Sequence, residues 1–139
     1  MNSWPEQVVE FESFLQQKGL KCQRGQPSPA FGDRLLQCTG QSIAVRMFSD
    51  RGIWFIEVGV PDEGERQWTD AALIRDLLSG SGNDVLSLEQ QIAIVRENWD
   101  QIVAAFSRSR RLSTHGRLAE LRRERTMRRL PGLRTDESN

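Results

Sequence analysis

The chain has 139 residues, 37% hydrophobic and 27% charged, with a mean hydropathy of -0.54. This is the size and composition of one soluble globular domain, which excludes a disordered chain. Uncharged apolar runs such as Ile53 to Ile56 are far short of the ~20 residues that cross a bilayer, so no membrane partner is expected. Met1 to Glu10 carries two acids and no basic residue, unlike a secretory signal.

The formal net charge is zero but polarised. Residues 1–100 hold 15 acids and 9 basic residues, a net of -6, and residues 101–139 hold 4 acids and 10 arginines, a net of +6. Such a tail either binds a polyanion or folds back onto its own acidic body.

The elements follow in chain order. Pro5 to Lys18 reads as a helix, with Val8, Phe11, Phe14 and Leu15 on one face. Ser3 with Glu6 suits a capping box, Trp4 and Val8 a staple, and Gly19 a C-terminal cap. Leu20 to Arg24 is a short candidate strand, and the Gly- and Pro-containing stretch Gly25 to Gly32 is a loop. Three strands are expected over Arg34–Thr39, Ser42–Ser49 and Gly52–Val60. Their short links force an antiparallel meander.

Period two places Ile43, Val45 and Met47 on one face, with Trp54, Ile56, Val58 and Val60. A turn at Asp50-Arg51 would set Met47 opposite Trp54 and Val45 opposite Ile56. The alternative, a type I turn with a glycine bulge at Gly52, shifts the register by one. The other face carries Phe48, Ile53 and Phe55 beside Arg46 and Glu57, and reads either as covered by a helix or as a binding patch.

An acidic loop, Asp62-Glu63-Gly64-Glu65, follows Pro61. Thr69 or Asp70 caps a short helix to Leu78, striped by Leu73, Leu77 and Leu78. Ser79 to Asn83 breaks it. Ser87-Leu88-Glu89-Gln90 is a capping box opening a helix to about Phe106. Leu88, Ile92, Val95, Trp99, Ile102, Val103 and Phe106 recur along it at intervals of three and four, the strongest helical signal in the chain. After a polar break at Arg108–Arg111, a last helix is expected over Ser113–Arg129. Its stripe of Leu118 and Leu121 is thin, which predicts weak docking or the need for a partner, and Glu124 is spaced to pair with Arg128. Pro131-Gly132 ends it, and residues 131–139 are expected to be a frayed tail. The expected class is α+β: an N-terminal helix, a three- to four-stranded antiparallel meander, then two or three C-terminal helices. Residues 1–107 form the domain, and residues 108–130 are an Arg-rich helix packed on it or extending from it.

Chemistry is sparse. Cys22 and Cys38 are the only cysteines and His115 the only histidine, too few for a structural zinc site. Each cysteine suits a small packed hydrophobe. A bridge between neighbouring strands is geometrically open, though a cytosolic chain would keep it reduced. No nucleophile elbow, zinc-protease, Walker or dinucleotide motif occurs. Nothing aligns His115 with a cysteine for nucleophilic catalysis. Asp62, Glu63 and Glu65 are crowded, but a wet loop does not shift a carboxyl group toward acid–base work. Trp99 and Trp54 fall on core faces. Trp68 stands just before a helix cap, as a staple or an exposed anchor. Arg117, Arg122, Arg123, Arg125, Arg128 and Arg129 coat the last helix, but Glu120 and Glu124 interrupt them.

Three segments carry a resemblance: Ser49-Asp50-Arg51-Gly52-Ile53-Trp54-Phe55-Ile56-Glu57, Trp68 through Leu78, and Leu86 through Gln91 with Asn98-Trp99. In its hairpin turn, capped helix and capping box the chain resembles the small single-domain immunity proteins of bacterial polymorphic toxin systems, over roughly residues 5–107. The resemblance implies a cytoplasmic, non-catalytic protein that binds a cognate toxin domain and blocks it by steric occlusion. It transfers no site residue, since such families share no binding motif. The partner-binding residues expected from the chain itself are Asp62, Glu63, Glu65 and Trp68, an acidic loop beside an aromatic anchor. No catalytic residue, metal or cofactor is expected. The alternative is a nucleic-acid-associated or regulatory protein that uses the arginine helix.

Overall fold

The computed structural model describes residues 4–25, 34–61, 68–80 and 82–129. In order they form α1 (Glu6–Gln17), β1 (Lys21–Gly25), β2 (Arg34–Thr39), β3 (Ala44–Asp50), β4 (Ile53–Gly59), β5 (Thr69–Asp70), α2 (Ala71–Ser79), α3 (Leu88–Glu97), α4 (Trp99–Ala105) and α5 (Arg111–Arg129). The strands lie in sequence order in one antiparallel sheet. The class is α+β, with the expected helix, meander and C-terminal helices. The expected three or four strands become five, because Thr69–Asp70 pairs with Glu57 and Val58 at the edge of β4. No helix among the described residues is long and apolar enough to cross a membrane.

α1 forms where the apolar spacing demands it, and Val8, Phe11 and Leu15 are buried. Pro5 stands at its N-cap without a side-chain cap bond, and Ser3 lies outside the described residues. Gly19 ends the helix at φ +91°. There the Leu20 amide donates to the Leu15 carbonyl and the Gly19 amide to the Gln16 carbonyl, at 3.1 and 3.0 Å. That double bond pattern needs a left-handed residue, which glycine adopts without a Cβ penalty.

The β3–β4 register corrects the turn expected at Asp50-Arg51. Asp50 pairs with Ile53, so the two-residue turn is Arg51-Gly52, with φ +55° and +82°. Positive φ at both positions is the type I′ geometry that matches strand twist. Met47 therefore opposes Ile56, and Val45 opposes Val58. The faces are those expected. Leu36, Cys38, Val45, Met47, Ile56 and Val58 are buried on one side of the sheet, in one core cluster with Phe11 and Leu15 of α1, Leu73 and Ile74 of α2, Val95 of α3, Trp99 and Ile102 of α4, and Leu118 of α5.

The expected long helix over Ser87–Phe106 is divided. The capping box forms as read: Gln90 donates its amide N–H to Ser87 Oγ, while its side chain accepts from the Ser87 amide. Asn98 then bends the chain between α3 and α4, and its Nδ2 donates to the Ile94 carbonyl at 2.9 Å. The Ile102 amide still reaches the Asn98 carbonyl at 2.9 Å, so the apolar spacing continues across the bend. Among the described residues, four helices therefore follow the sheet strands.

α5 is docked rather than loose. Leu118 and Leu121 belong to the same core cluster as the sheet, and the Thr114 hydroxyl donates to the Ala105 carbonyl. Glu124 does not hold Arg128, which reaches Asp84 instead. The expected tail, residues 131–139, lies outside the described residues.

Cys22 and Cys38 are not separate packed thiols but a disulfide joining directly opposed positions of β1 and β2, with Cα atoms 4.0 Å apart.

Gln91 does what a sixth strand would. β5 covers only Glu57 and Val58 of β4. Beyond it, Gln91 Oε1 accepts from the Ile56 amide at 2.8 Å and Gln91 Nε2 donates to the Trp54 carbonyl at 2.9 Å. The side chain is buried, so removing it strands two backbone groups.

Two stability outcomes follow. Trp99→Ala removes a buried aromatic that meets Phe14 edge-on, and lowers unfolding free energy in a urea titration by about 3–5 kcal/mol. Gln91→Leu keeps the volume but leaves the Ile56 N–H and Trp54 carbonyl unpaired, a loss of about 1–3 kcal/mol in the same measurement.

Candidate docking face

The strand register builds the outer face of the sheet in cross-strand rows. Leu35, Phe48 and Phe55 make one row, and Gln37, Arg46, Glu57 and Asp70 the next. None of these side chains belongs to the core cluster, so this face is not the one the helices cover. Phe48 and Phe55 stack with centroids 5.2 Å apart. Arg46 Nε donates to Glu57 Oε1 at 2.6 Å. Its guanidinium lies 4.4 Å from the Trp68 ring centroid and 5.7 Å from that of Phe48.

Trp68 lies on the outer face of β4 because Gly59 leaves room for it. A Cβ at Gly59 would stand 3.0 Å from the indole, inside contact distance. The ring is thus held between backbone and guanidinium and half-buried. Of the expected binding residues, Trp68 alone has a described position. Asp62, Glu63 and Glu65 lie outside the described residues.

Beside this face runs a groove of about 330 Å³ between β4, residues 84–86 and α5. Five large hydrophobics are exposed among the described residues, and three of them line it: Ile53 at 60%, Phe55 at 39% and Val85 at 87%. Asp70, Asp84, Arg125 and Arg129 make its polar wall. Asp70 caps α2 by accepting from the Leu73 amide, and Arg125 grips both of its oxygens, at 3.1 and 2.9 Å. Asp84 receives Arg128 at 3.3 Å and Arg129 at 3.7 Å, two guanidiniums on one carboxylate. Arg122 donates to Thr69 Oγ1 at 3.0 Å. Four arginines of the basic helix are therefore engaged with the body of the same molecule.

The sequence identified Trp68, Phe48, Ile53 and Phe55, but not the Gly59 seat, the Arg46 clamp or the contribution of Val85. Glycine at an alternating strand position was the available signal for the seat. Val85 sits in a segment without periodicity and carried none. His115 lies against Phe106, with centroids 6.1 Å apart, while Cys22 and Cys38 are bonded to each other between β1 and β2. Among the described residues no three His, Cys, Asp or Glu side chains are placed to hold a metal ion.

The joint between α5 and α2 tests this geometry. Asp70→Ala removes both the N-cap acceptor and the partner of Arg125, and lowers stability by about 1–2 kcal/mol in chemical denaturation.

Comparison with protein-family models, curated proteins and solved structures finds no match to this chain.

Proposed function

We propose that this chain is a non-catalytic binding protein: an immunity protein that binds and occludes a cognate bacterial toxin domain. The observation that carries the reading is the outer sheet face. It presents exposed Ile53 and Phe55 next to a tryptophan clamped by arginine. Aromatic and arginine side chains fixed in advance lose little freedom on association and dominate protein–protein hot spots. A sheet backed by one core gives the rigid platform that occlusion requires.

In this reading Asp62, Glu63 and Glu65 steer a basic toxin surface, helped by the net charge of -6 on residues 1–100. Trp68 anchors the complex. No metal or cofactor takes part. The site of action is the cytoplasm, where glutathione and thioredoxin keep cysteines as thiols, so Cys22 and Cys38 are reduced there. The alternative, nucleic-acid binding through α5, draws first on Arg123, since Arg117 pairs with Glu120 and Arg122, Arg125, Arg128 and Arg129 bond to the body of the molecule.

The test uses the toxin domain recovered with the tagged chain from its native cell, followed by surface plasmon resonance. Replacing Asp62, Glu63 and Glu65 with Ser slows association and flattens its salt dependence while the chain stays folded. Trp68→Ala speeds dissociation about 30-fold, the equivalent of ~2 kcal/mol. Unchanged rates in both variants remove this surface. A salt-dependent mobility shift with random DNA or RNA, and no toxin recovered, favours the alternative.

A further inference from the structure

We propose that the Cys22–Cys38 disulfide is a redox latch on the edge strand: oxidised it holds β1 in the sheet, and reduced it releases β1 while the rest of the fold persists. This goes beyond the immunity reading and does not depend on it.

Among the described residues β1 is the terminal strand, with β2 as its one strand neighbour. Of its five residues only Cys22 is better than exposed. Its bonded partner, Cys38, is fully buried among Leu36, Val45 and Met47 of the core cluster. Beyond its backbone ladder to β2, the strand is therefore linked to the core chiefly through one sulfur–sulfur bond. Its other side-chain ties sit near the surface: Arg24 bonds Glu12 at 2.8 Å with 42% of the arginine side chain exposed, and stacks on Trp4 at 4.6 Å. Such contacts hold weakly in water. β3 and β4 are anchored differently. Each sends at least two fully buried apolar side chains inward, Val45 with Met47 and Ile56 with Val58. Cutting the disulfide removes the one buried side-chain anchor of β1 and leaves it on a five-pair edge ladder, while β3 and β4 keep their buried side chains. Elements with few buried contacts open first.

The chemistry is thiol–disulfide exchange with a dithiol reductant. One reductant thiolate attacks Sγ of Cys22, the more accessible sulfur, and forms a mixed disulfide. The Cys22–Cys38 bond breaks, and Cys38 leaves as a thiolate that takes up a proton. The second reductant thiolate then attacks the mixed disulfide, releasing Cys22, which is protonated in turn. Two electrons and two protons enter the protein, and the reductant closes as its own disulfide. The freed edge of the sheet is then β2, Arg34–Thr39, and the Arg24–Trp4 contact loosens with β1.

Hydrogen exchange read by mass spectrometry tests the latch on the intact chain. Amides of residues 21–25 exchange about tenfold faster or more in dithiothreitol than in the oxidised protein, while those of β3, β4 and α4 change less than about twofold. Trypsin cuts after Lys21 and Arg24 in the reduced form before it cuts in β3, and oxidised glutathione restores resistance. The Cys22→Ala/Cys38→Val variant, which keeps an apolar side chain in the core, behaves as the reduced form with or without dithiothreitol. Equal protection of β1 in both redox states overturns the proposal. So does simultaneous loss of protection in β1, β3 and β4, which would make the bond a global staple instead of a local latch.

Discussion

The turn at Arg51-Gly52 constrains more of this molecule than any other pair of residues. With both backbone φ angles positive, it closes the β3–β4 hairpin and pairs Asp50 with Ile53. Every later pairing follows by counting. Val45 meets Val58 and Met47 meets Ile56 on the core side, while Arg46 meets Glu57 and Phe48 meets Phe55 outside. A one-residue slip would turn the buried set out to water and the arginine in. Arginine in the left-handed region costs about 1 kcal/mol, which the hairpin tolerates because the adjacent glycine takes its angle freely. Core, docking face and the seat for Trp68 all depend on that small strain.

The uneven charge has a structural use. The basic C-terminal helix has too few apolar residues to hold itself to the body, with Leu118 and Leu121 as its buried leucines. Arginine complements them. Arg125 grips the carboxylate that caps α2, Arg122 reaches back to Thr69, and Arg128 with Arg129 shares Asp84. Each such pair is modest in water, but these gather along one helix edge beside a hydrophobic contact. Part of the charge dipole of the sequence is thereby paired within the molecule.

Much of the fold was legible, and the gaps have physical causes. Alternation identified both faces of β3 and β4, because a half-buried sheet requires it. It is blind to a slip of two residues, which preserves every face, and so Asp50-Arg51 and Arg51-Gly52 looked equivalent to the core pattern. β5 was missed because two residues carry no period. The division at Asn98 was missed because the bend keeps the helical hydrogen bonds on either side of it, and with them the spacing of three and four. The disulfide was left open because alternation places Cys22 and Cys38 on a shared face without stating that they stand opposite. At the candidate site, bulky side chains were visible as types. What positions them was not: a glycine's empty side and an arginine's reach depend on neighbours distant in the chain.

Gln91 carries a consequence of a different kind. β5 shields only two residues of β4, and below it the strand turns unpaired peptide groups outward, a template on which a second chain could grow. The amide of Gln91 occupies both the Ile56 N–H and the Trp54 carbonyl, and so terminates the sheet with a side chain borrowed from a helix. The molecule's individuality in a crowded cell thus rests partly on a single carboxamide. The same plug leaves the adjoining apolar groove open to side chains of a partner while denying it a strand, so recognition there proceeds by shape and not by sheet extension.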